Sequence, residues 1–412
     1  MNKYLLKDIA KIDISGVDKK IKENEINIKL CNFTDVYNNW AITKGMYAKF
    51  MIATASKNEI ERYKLKRGMI AITKDSETRE DIGMATYIAD SFEDVILGYH
   101  TALIIPDNSK IDSKYLNAYL NSNLARKHFS NSASGSGQRY TLTIDSIGSL
   151  PLYLPSLEIQ RKIGNLLSDI DRKIETNNQI NNNLEELMKI IYQRWFLEYE
   201  FPNEEGKMYK SNYGQFKFEP KLKKEIPENW ELVSFGQIIT FTKGRIPNEL
   251  YDEELDDTIP YITIDVANNG KTQFCNKRKM IICNGETIMV MDGASSGDVY
   301  CGNYGALGST FSMLSSKRGD IHNSLIYMLL NENKLLYKKA NTGSTVPHAN
   351  KTFIENMRIA LPKDCTFFSN EFDSICQKIE ELKKENKILE LCKKYLLPLL
   401  INGQINVDDI EI

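Results

Sequence analysis

The sequence predicts an α+β protein: two mixed α/β domains separated by an antiparallel coiled coil of two long helices, related by an approximate twofold axis. Three observations predict it. Two long polar segments carry apolar residues at a 3.5-residue period, the two segments superimpose at a single shift, and the stretches beside them repeat one another more faintly.

The chain has 412 residues, enough for two or three domains, and 42% hydrophobic content, ordinary for a soluble core. The first domain is assigned to residues 1–154. It mixes alternating apolar runs with helical stripes such as "YLNAYLNSNLARKHF" (115–129).

A central helix occupies 155–197. Pro155 and Ser156 open it, and Glu158 places a carboxylate near its start. Ile159, Ile163, Leu166, Ile170, Ile174, Asn177, Asn181, Leu184, Met188, Ile191 and Trp195 recur at steps of four and three, the seam of a coiled coil. The segment 198–229 is rich in charge and turn formers and reads as a connector. A second domain follows at 230–362, then a C-terminal helix and tail at 363–412.

The C-terminal stripe is Ile375, Ile379, Leu382, Asn386, Leu389, Lys393, Leu396 and Leu400. At a shift of 205, Ile170 falls on Ile375, Ile174 on Ile379, Asn181 on Asn386, Leu184 on Leu389 and Ile191 on Leu396. Both copies carry Asn at one core slot, where a polar residue fixes register at a cost in stability. Lys393 departs from the pattern, standing where the first helix has Met188. Domain termini often lie close together, so the second helix is expected to run back along the first. The stripe from 170 to 195 spans roughly 39 Å at about 1.5 Å per residue. One turn of B-DNA is about 34–36 Å.

The domains repeat as well. "KLKRGMIAITKD" (64–75) resembles "IICNGETIMVMDG" (281–293), and "LGYHTALIIP" (97–106) resembles "LGSTFSMLSS" (307–316). "SASGSGQRYTLTIDSIGSLPLYLP" (132–155) resembles "NTGSTVPHANKTFIENMRIALP" (341–362).

Catalytic signatures are missing. No phosphate-cradling G-x-x-x-x-G-K-[ST] occurs, "GNYGALG" (302–308) does not fit a dinucleotide fingerprint, and no Asn-Pro-Pro-aromatic run is present. The four histidines lack metal spacing. Seven cysteines without C-x-x-C spacing point to buried thiols in a reducing compartment. The start "MNKYLLKDIA" is not a signal peptide, and no apolar run reaches membrane length, so a cytoplasmic protein is expected. A net charge of −2 argues against unaided binding through a large positive field.

The polar loops suit a different task. "TKDSETRED" (73–81), "SGSGQRYT" (134–141), "MDGASSGD" (291–298) and "TGSTVPHANK" (342–351) combine small residues with donors and acceptors. Arg139 could bridge guanine O6 and N7, and Gln138 or Asn350 could take the adenine N6/N7 edge. Lys74, Arg79 and Lys351 could neutralise phosphates. The remaining candidates are Ser76, His100, Ser136 and Tyr140 in the first domain, and Asp292, Ser295, Ser296, Ser344, Thr345 and His348 in the second. Basic clusters at 125–128, 277–279, 317–318 and 338–339 could flank a backbone.

Four stretches carry a family resemblance: "LPSLEIQRKIGNLLSDIDRKIETNNQINNNLEEL", "YQRWFLEYEFPNEEGK", "EIPENWELVSFGQI" and "LLPLLINGQINV". Over nearly its whole length the chain resembles the specificity subunits of type I restriction–modification enzymes. The resemblance implies two target-recognition domains that each read half of a split DNA site, with helices that serve as spacer and docking surface. It implies a non-catalytic chain working with two modification subunits, which bind S-adenosylmethionine and methylate adenine. Restriction subunits, where present, would cleave using ATP and Mg. The competing reading from the residues alone is a coiled-coil interaction scaffold with two protein-binding domains and no DNA.

Overall fold

The computed structural model describes residues 2–136, 139–268, 270–343 and 345–410. It divides into two units. The first comprises residues 1–176 and 386–412, the second 177–385.

Unit 1 is built on a five-stranded sheet in the order Ala10–Ile14, Thr101–Pro106, Ile70–Thr73, Ala85–Ile88, Ala41–Ile42. Every residue of Ile70–Thr73 is buried, as expected for a central strand covered on both faces. A three-stranded sheet (Met51–Ala55, Ile26–Cys31, Val95–Leu97) extends the unit. The ladder of Asn2–Leu5 with Pro151–Leu154 closes the domain on its own ends.

The helix Ser113–Leu120 begins at Asp112, whose carboxylate accepts from the Lys114 and Tyr115 amides. Against that cap lies the central helix, Leu157–Tyr192, at Gly164. A Cβ there would sit 2.6 Å from Tyr115 N, so only glycine permits the approach.

Unit 2 repeats this plan. The ladder Trp230–Ser234 with Arg358–Pro362 closes it, and the sheet order is Ile239–Lys243, Phe311–Ser316, Thr287–Val290, Val299–Tyr300. A second four-stranded sheet extends it (Gln273–Asn276, Thr258–Ile262, Tyr304–Leu307, Ile282–Asn284). The duplication holds down to single hydrogen bonds. Leu6 N donates to Leu150 O at 3.0 Å, and Phe235 N to Met357 O at 3.0 Å. Leu142 N donates to Lys74 O at 2.7 Å, and Ala349 N to Met291 O at 2.8 Å.

The coiled coil is present within each unit. In unit 1, Ile163, Leu166, Leu167 and Ile170 share a core with Leu396, Leu397, Leu400 and Ile401 of the C-terminal helix, Thr366–Ile401. In unit 2, Leu184, Met188 and Ile191 share a core with Phe368, Phe372, Ile375 and Ile379. Asn177 Nδ2 donates to Glu385 Oε2 at 2.8 Å, while further along the helix Trp195 meets Phe368 at 5.5 Å between ring centres. Advancing along one helix therefore retreats along the other, which makes the pairing antiparallel. Ile174, Leu382 and Leu389 are also withdrawn from solvent, and Asn181 and Asn386 are buried as their core slots require.

Residues 363–412 form the helix Thr366–Ile401 and a short tail, and the part from 386 onward lies in unit 1, with Ile405, Val407 and Ile410 on its core. The connector is folded: Phe216–Glu219 pairs with Lys224–Pro227 in a hairpin. Tyr199 meets the buried Trp230 edge-on at 5.3 Å, and Phe201 stacks on it at 5.4 Å. Its aromatic side chains bury more than its charges forbid.

Candidate nucleic-acid interface

In unit 1 the loops 73–81 and 134–141 come together because Asp75–Ser76 pairs with Arg139–Thr141, which pairs in turn with Ser134–Ser136. Asp75 lies at the centre. Its Oδ2 accepts from Lys74 Nζ at 2.8 Å and His100 Nδ1 at 2.6 Å, with Arg139 Nη2 at 3.4 Å. Its Oδ1 accepts from Thr141 Oγ1 at 2.6 Å.

Burial alone would raise the Asp75 carboxyl. The hydrogen bonds from Lys74, Thr141 and His100 outweigh it and pull the group down to about 2. Arg139 Nη2 also touches the His100 ring, 3.2 Å from Nε2. His100 packs on Tyr99 at 3.8 Å and takes a left-handed backbone, φ 73°, a conformation that costs roughly 1–2 kcal/mol outside glycine. Arg79 lies over the Tyr140 ring at 4.9 Å.

Unit 2 forms the corresponding junction. Asp292 bridges to His348 through the backbone, and Gly293 N donates to Pro347 O at 2.9 Å. Asp292 Oδ1 lies 2.8 Å from His348 Nδ1, and Oδ2 lies 3.6 Å from Lys243 Nζ. Asp75 and Asp292 each follow a central strand by two positions. Thr141 and His348 each stand two positions before a helix cap, Thr143 and Asn350. The same joint thus carries different chemistry: Thr141, His100, Lys74 and Arg139 in one unit, His348 and Lys243 in the other.

The structure gathers Lys74, Ser76, Arg79, His100, Arg139 and Tyr140 around one junction, with Asp292, Ser295, Thr345, His348, Asn350 and Lys351 around or beside the other. Gln138 and Ser344 lie outside the described residues, as does the Ser136 side chain.

Several assignments change. Lys74 is 8% exposed with its ammonium on Asp75, so it is an internal counter-ion and not a phosphate contact. Ser296 is 1% exposed and its hydroxyl binds Asn341 Nδ2 at 3.0 Å, so it braces the loop from within. Asn350 Oδ1 caps the helix Lys351–Asn356 by accepting from Phe353 N, which fixes the side chain at the helix start and limits how it can meet a base.

Three of the four basic clusters lose a member to contacts inside the units, while Lys277, Arg278 and Lys279 all stay exposed. Arg126 donates to the Ile82 and Glu80 carbonyls, Arg318 grips Asp320 and Glu231, and Lys338 pairs with Asp298. Arg79, Arg139, Lys243 and Lys351 keep exposed side chains. Sequence reasoning passed over Asp75, Tyr99, Thr141 and Lys243. The aligned "KD" and "MD" after equivalent strands could have singled out Asp75.

No group of His, Cys, Asp or Glu among the described residues could hold a metal ion, and no helix among them is long and apolar enough to cross a membrane. A duplicated α/β platform, each copy with a polar two-loop junction and a stretch of paired helix, defines a recognition subunit. The model of the type I restriction modification DNA specificity domain matches residues 1–186 and 227–390, and the chain belongs to that family. It supplies DNA specificity to a restriction–modification system and is not itself the enzyme.

The chain is 24% identical to the putative type I restriction enzyme MjaX specificity subunit of Methanocaldococcus jannaschii, over 98% of this chain and 93% of that one. It is 27% identical to the MjaVIII specificity subunit of the same organism, over 42% of each. The crystal structure of a type I restriction–modification S subunit from M. genitalium shares the fold. Its TM-score is 0.61 at 15% identity, covering 97% of this chain and 95% of that one.

Proposed function

We propose that this chain reads a split, asymmetric site on double-stranded DNA and directs adenine methylation there by two modification subunits. Those partners hold S-adenosylmethionine, and the adenine is extruded into their pocket, as base-modifying enzymes acting on a duplex require. Where restriction subunits join them, cleavage draws on ATP and Mg held by those subunits. The chain itself binds none of these cofactors and works in the cytoplasm.

The observation that carries this reading is the repeated loop junction with unlike side chains. One joint offers His100, Arg139 and Arg79, while the other offers His348, Lys243 and Lys351. Two copies of one platform suit two half-sites, and their different chemistry suits an asymmetric target. A net charge of −2 leaves little field to hold DNA unaided. Binding is therefore weak for the chain alone, and tight and salt-dependent once the partners add their phosphate contacts.

A scaffold that binds proteins through these loops calls for an exposed apolar patch there. Val346, 48% exposed, is the one large exposed apolar side chain among the described residues of the four loops, and at the first junction only Tyr99, 44% exposed, stands beside them.

The test is to co-express the chain with its modification partner and map methylated adenines by sequencing. A split asymmetric motif is expected. Exchange of residues 1–154 for the matching domain of a relative should change one half of it only. Unmethylated DNA, or marks without a motif, would overturn the reading.

A further inference from the structure

We infer that Asp75 and Asp292 are equivalent positioning carboxylates: each holds the base-facing side chains of its own unit in place, and each is required for the specificity of one half-site only. This rests on the reading of the two junctions as DNA-reading sites.

Asp75 is 5% exposed, so it cannot reach a duplex, yet it gathers four side-chain donors from three separate segments. Structural economy alone does not require this. Lys74 and Thr141 already neutralise and bond the carboxylate, and a stable pair would stop there. Two further groups converge on it, and both reach toward solvent: His100 with 30% and Arg139 with 53% of the side chain exposed.

His100 also stands in a left-handed backbone that only the surrounding structure can hold, with Lys74 N donating to its carbonyl at 2.9 Å. Arg139 has several rotatable bonds that would otherwise be lost on meeting a base. With Nη2 held at Asp75 and His100, that ordering is done before DNA arrives. Among the described residues its Nε and Nη1 make no hydrogen bond, so N–H groups of the guanidinium remain to meet a base edge.

The second unit supplies an independent copy. Asp292 occupies the equivalent place after its strand and is half-buried. It holds His348, which has 49% of its side chain exposed, and approaches Lys243, with 66% exposed. The two junctions share few side chains apart from the aspartate and a histidine. What the duplication preserves is the anchoring carboxylate, while the anchored groups differ. Asp292 therefore moves from contact residue to positioning residue.

The experiment uses the complex with its modification subunits and a duplex library randomised across both half-sites, selected by binding at two salt concentrations and sequenced. Asp75→Asn should lower base discrimination in one half by roughly five- to a hundredfold, the weight of one base contact. The other half and the salt slope should stay unchanged. Asp292→Asn should do the same to the opposite half. Because Asp75→Asn strands the buried Lys74 ammonium, the charge-balanced K74M/D75N variant is measured beside it and should give the same pattern. The inference is overturned if discrimination survives in both halves, or if every sequence loses affinity alike. Should the wild-type complex select no split motif, the proposed function fails first and the inference falls with it.

Discussion

Lys393 Nζ lies 2.6 Å from Asp171 Oδ2 within unit 1, an ion pair set where the seam of the helix pair would otherwise be apolar. Burial raises the Asp171 carboxyl above its ordinary range, and the Lys393 charge works against that rise. Lys393→Met restores the residue type of the equivalent slot, Met188, but leaves the carboxylate without its partner. Removing one member of a buried pair costs up to about 3–5 kcal/mol, and partial exposure here brings the expectation to about 2 kcal/mol. Urea melts at neutral pH should show the loss, and the double variant D171L/K393M should recover most of it. Because the carboxyl is raised, acid protonates it and relieves the penalty. The K393M defect should therefore shrink as pH falls toward 4, and a defect that grows in acid would contradict this account.

Asp75 titrates in the opposite sense. Its folded value of about 2 lies below the 3.8 of an ordinary aspartate. A depressed carboxyl stabilises the fold above the unfolded value and loses that contribution as pH falls through the folded one. The difference corresponds to about 2 kcal/mol. Between pH 4 and 2, wild-type stability should drop more steeply than that of K74M/D75N, which lacks the titrating group. Parallel pH profiles for the two proteins would show that the carboxylate is not depressed.

The helix pair was legible because its signal is periodic and local: Ile163, Ile170, Leu184 and Ile379 are buried or half-buried where a 3.5-residue repeat puts them. The two loop junctions were legible as composition, since Gly, Ser and charged residues recur at matching places. What the residues could not reveal is which loop side chains face inward. Lys74 is buried because a strand from 139–141, far away in sequence, covers it, and Ser296 because Asn341 reaches back to it. Such pairings are set by tertiary register and leave no period to read. The connector was legible as a link from its charges and turn formers, but its packing was not, because Tyr199 and Phe201 meet Trp230, a residue outside the segment.

Arg318 and Arg79 separate a structural cation from a contact cation. Arg318 donates Nε and Nη2 to Asp320 at 3.0 and 2.6 Å and Nη1 to Glu231 at 3.0 Å, tying the strand Phe311–Ser316 to the closing ladder. Asp320 is held down to about 2, chiefly by that guanidinium. Arg318→Ala should lower stability by about 2–3 kcal/mol and leave the salt dependence of DNA binding by the complex untouched. Arg79 is exposed and rests on Tyr140. Arg79→Ala should leave the melt within about 0.5 kcal/mol of wild type and reduce the salt slope by about one. Thermal melts and binding isotherms at several salt concentrations check both, and exchanged outcomes would reverse the two assignments.

Gly164 offers a test of how the central helix seats on unit 1. On an exposed helix, Gly→Ala stabilises by about 1 kcal/mol through backbone entropy. Here an added Cβ would lie 2.6 Å from Tyr115 N, 2.8 Å from Asp112 Oδ1 and 3.1 Å from Lys114 Cβ, against the cap of the helix Ser113–Leu120. The first of these is backbone, fixed by the cap bond from Tyr115 N to Asp112 at 3.0 Å, so it cannot swing aside as a side chain would. Alanine must therefore push the two helices apart or break the cap, and a loss of about 1–3 kcal/mol is expected. Gly16→Ala is the control, since nothing lies within 4 Å of its added Cβ and its backbone is not left-handed. Thermal melts should show G164A well below wild type and G16A close to it. A stabilised G164A would mean that the central helix does not approach the Asp112 cap as closely as Gly164 permits.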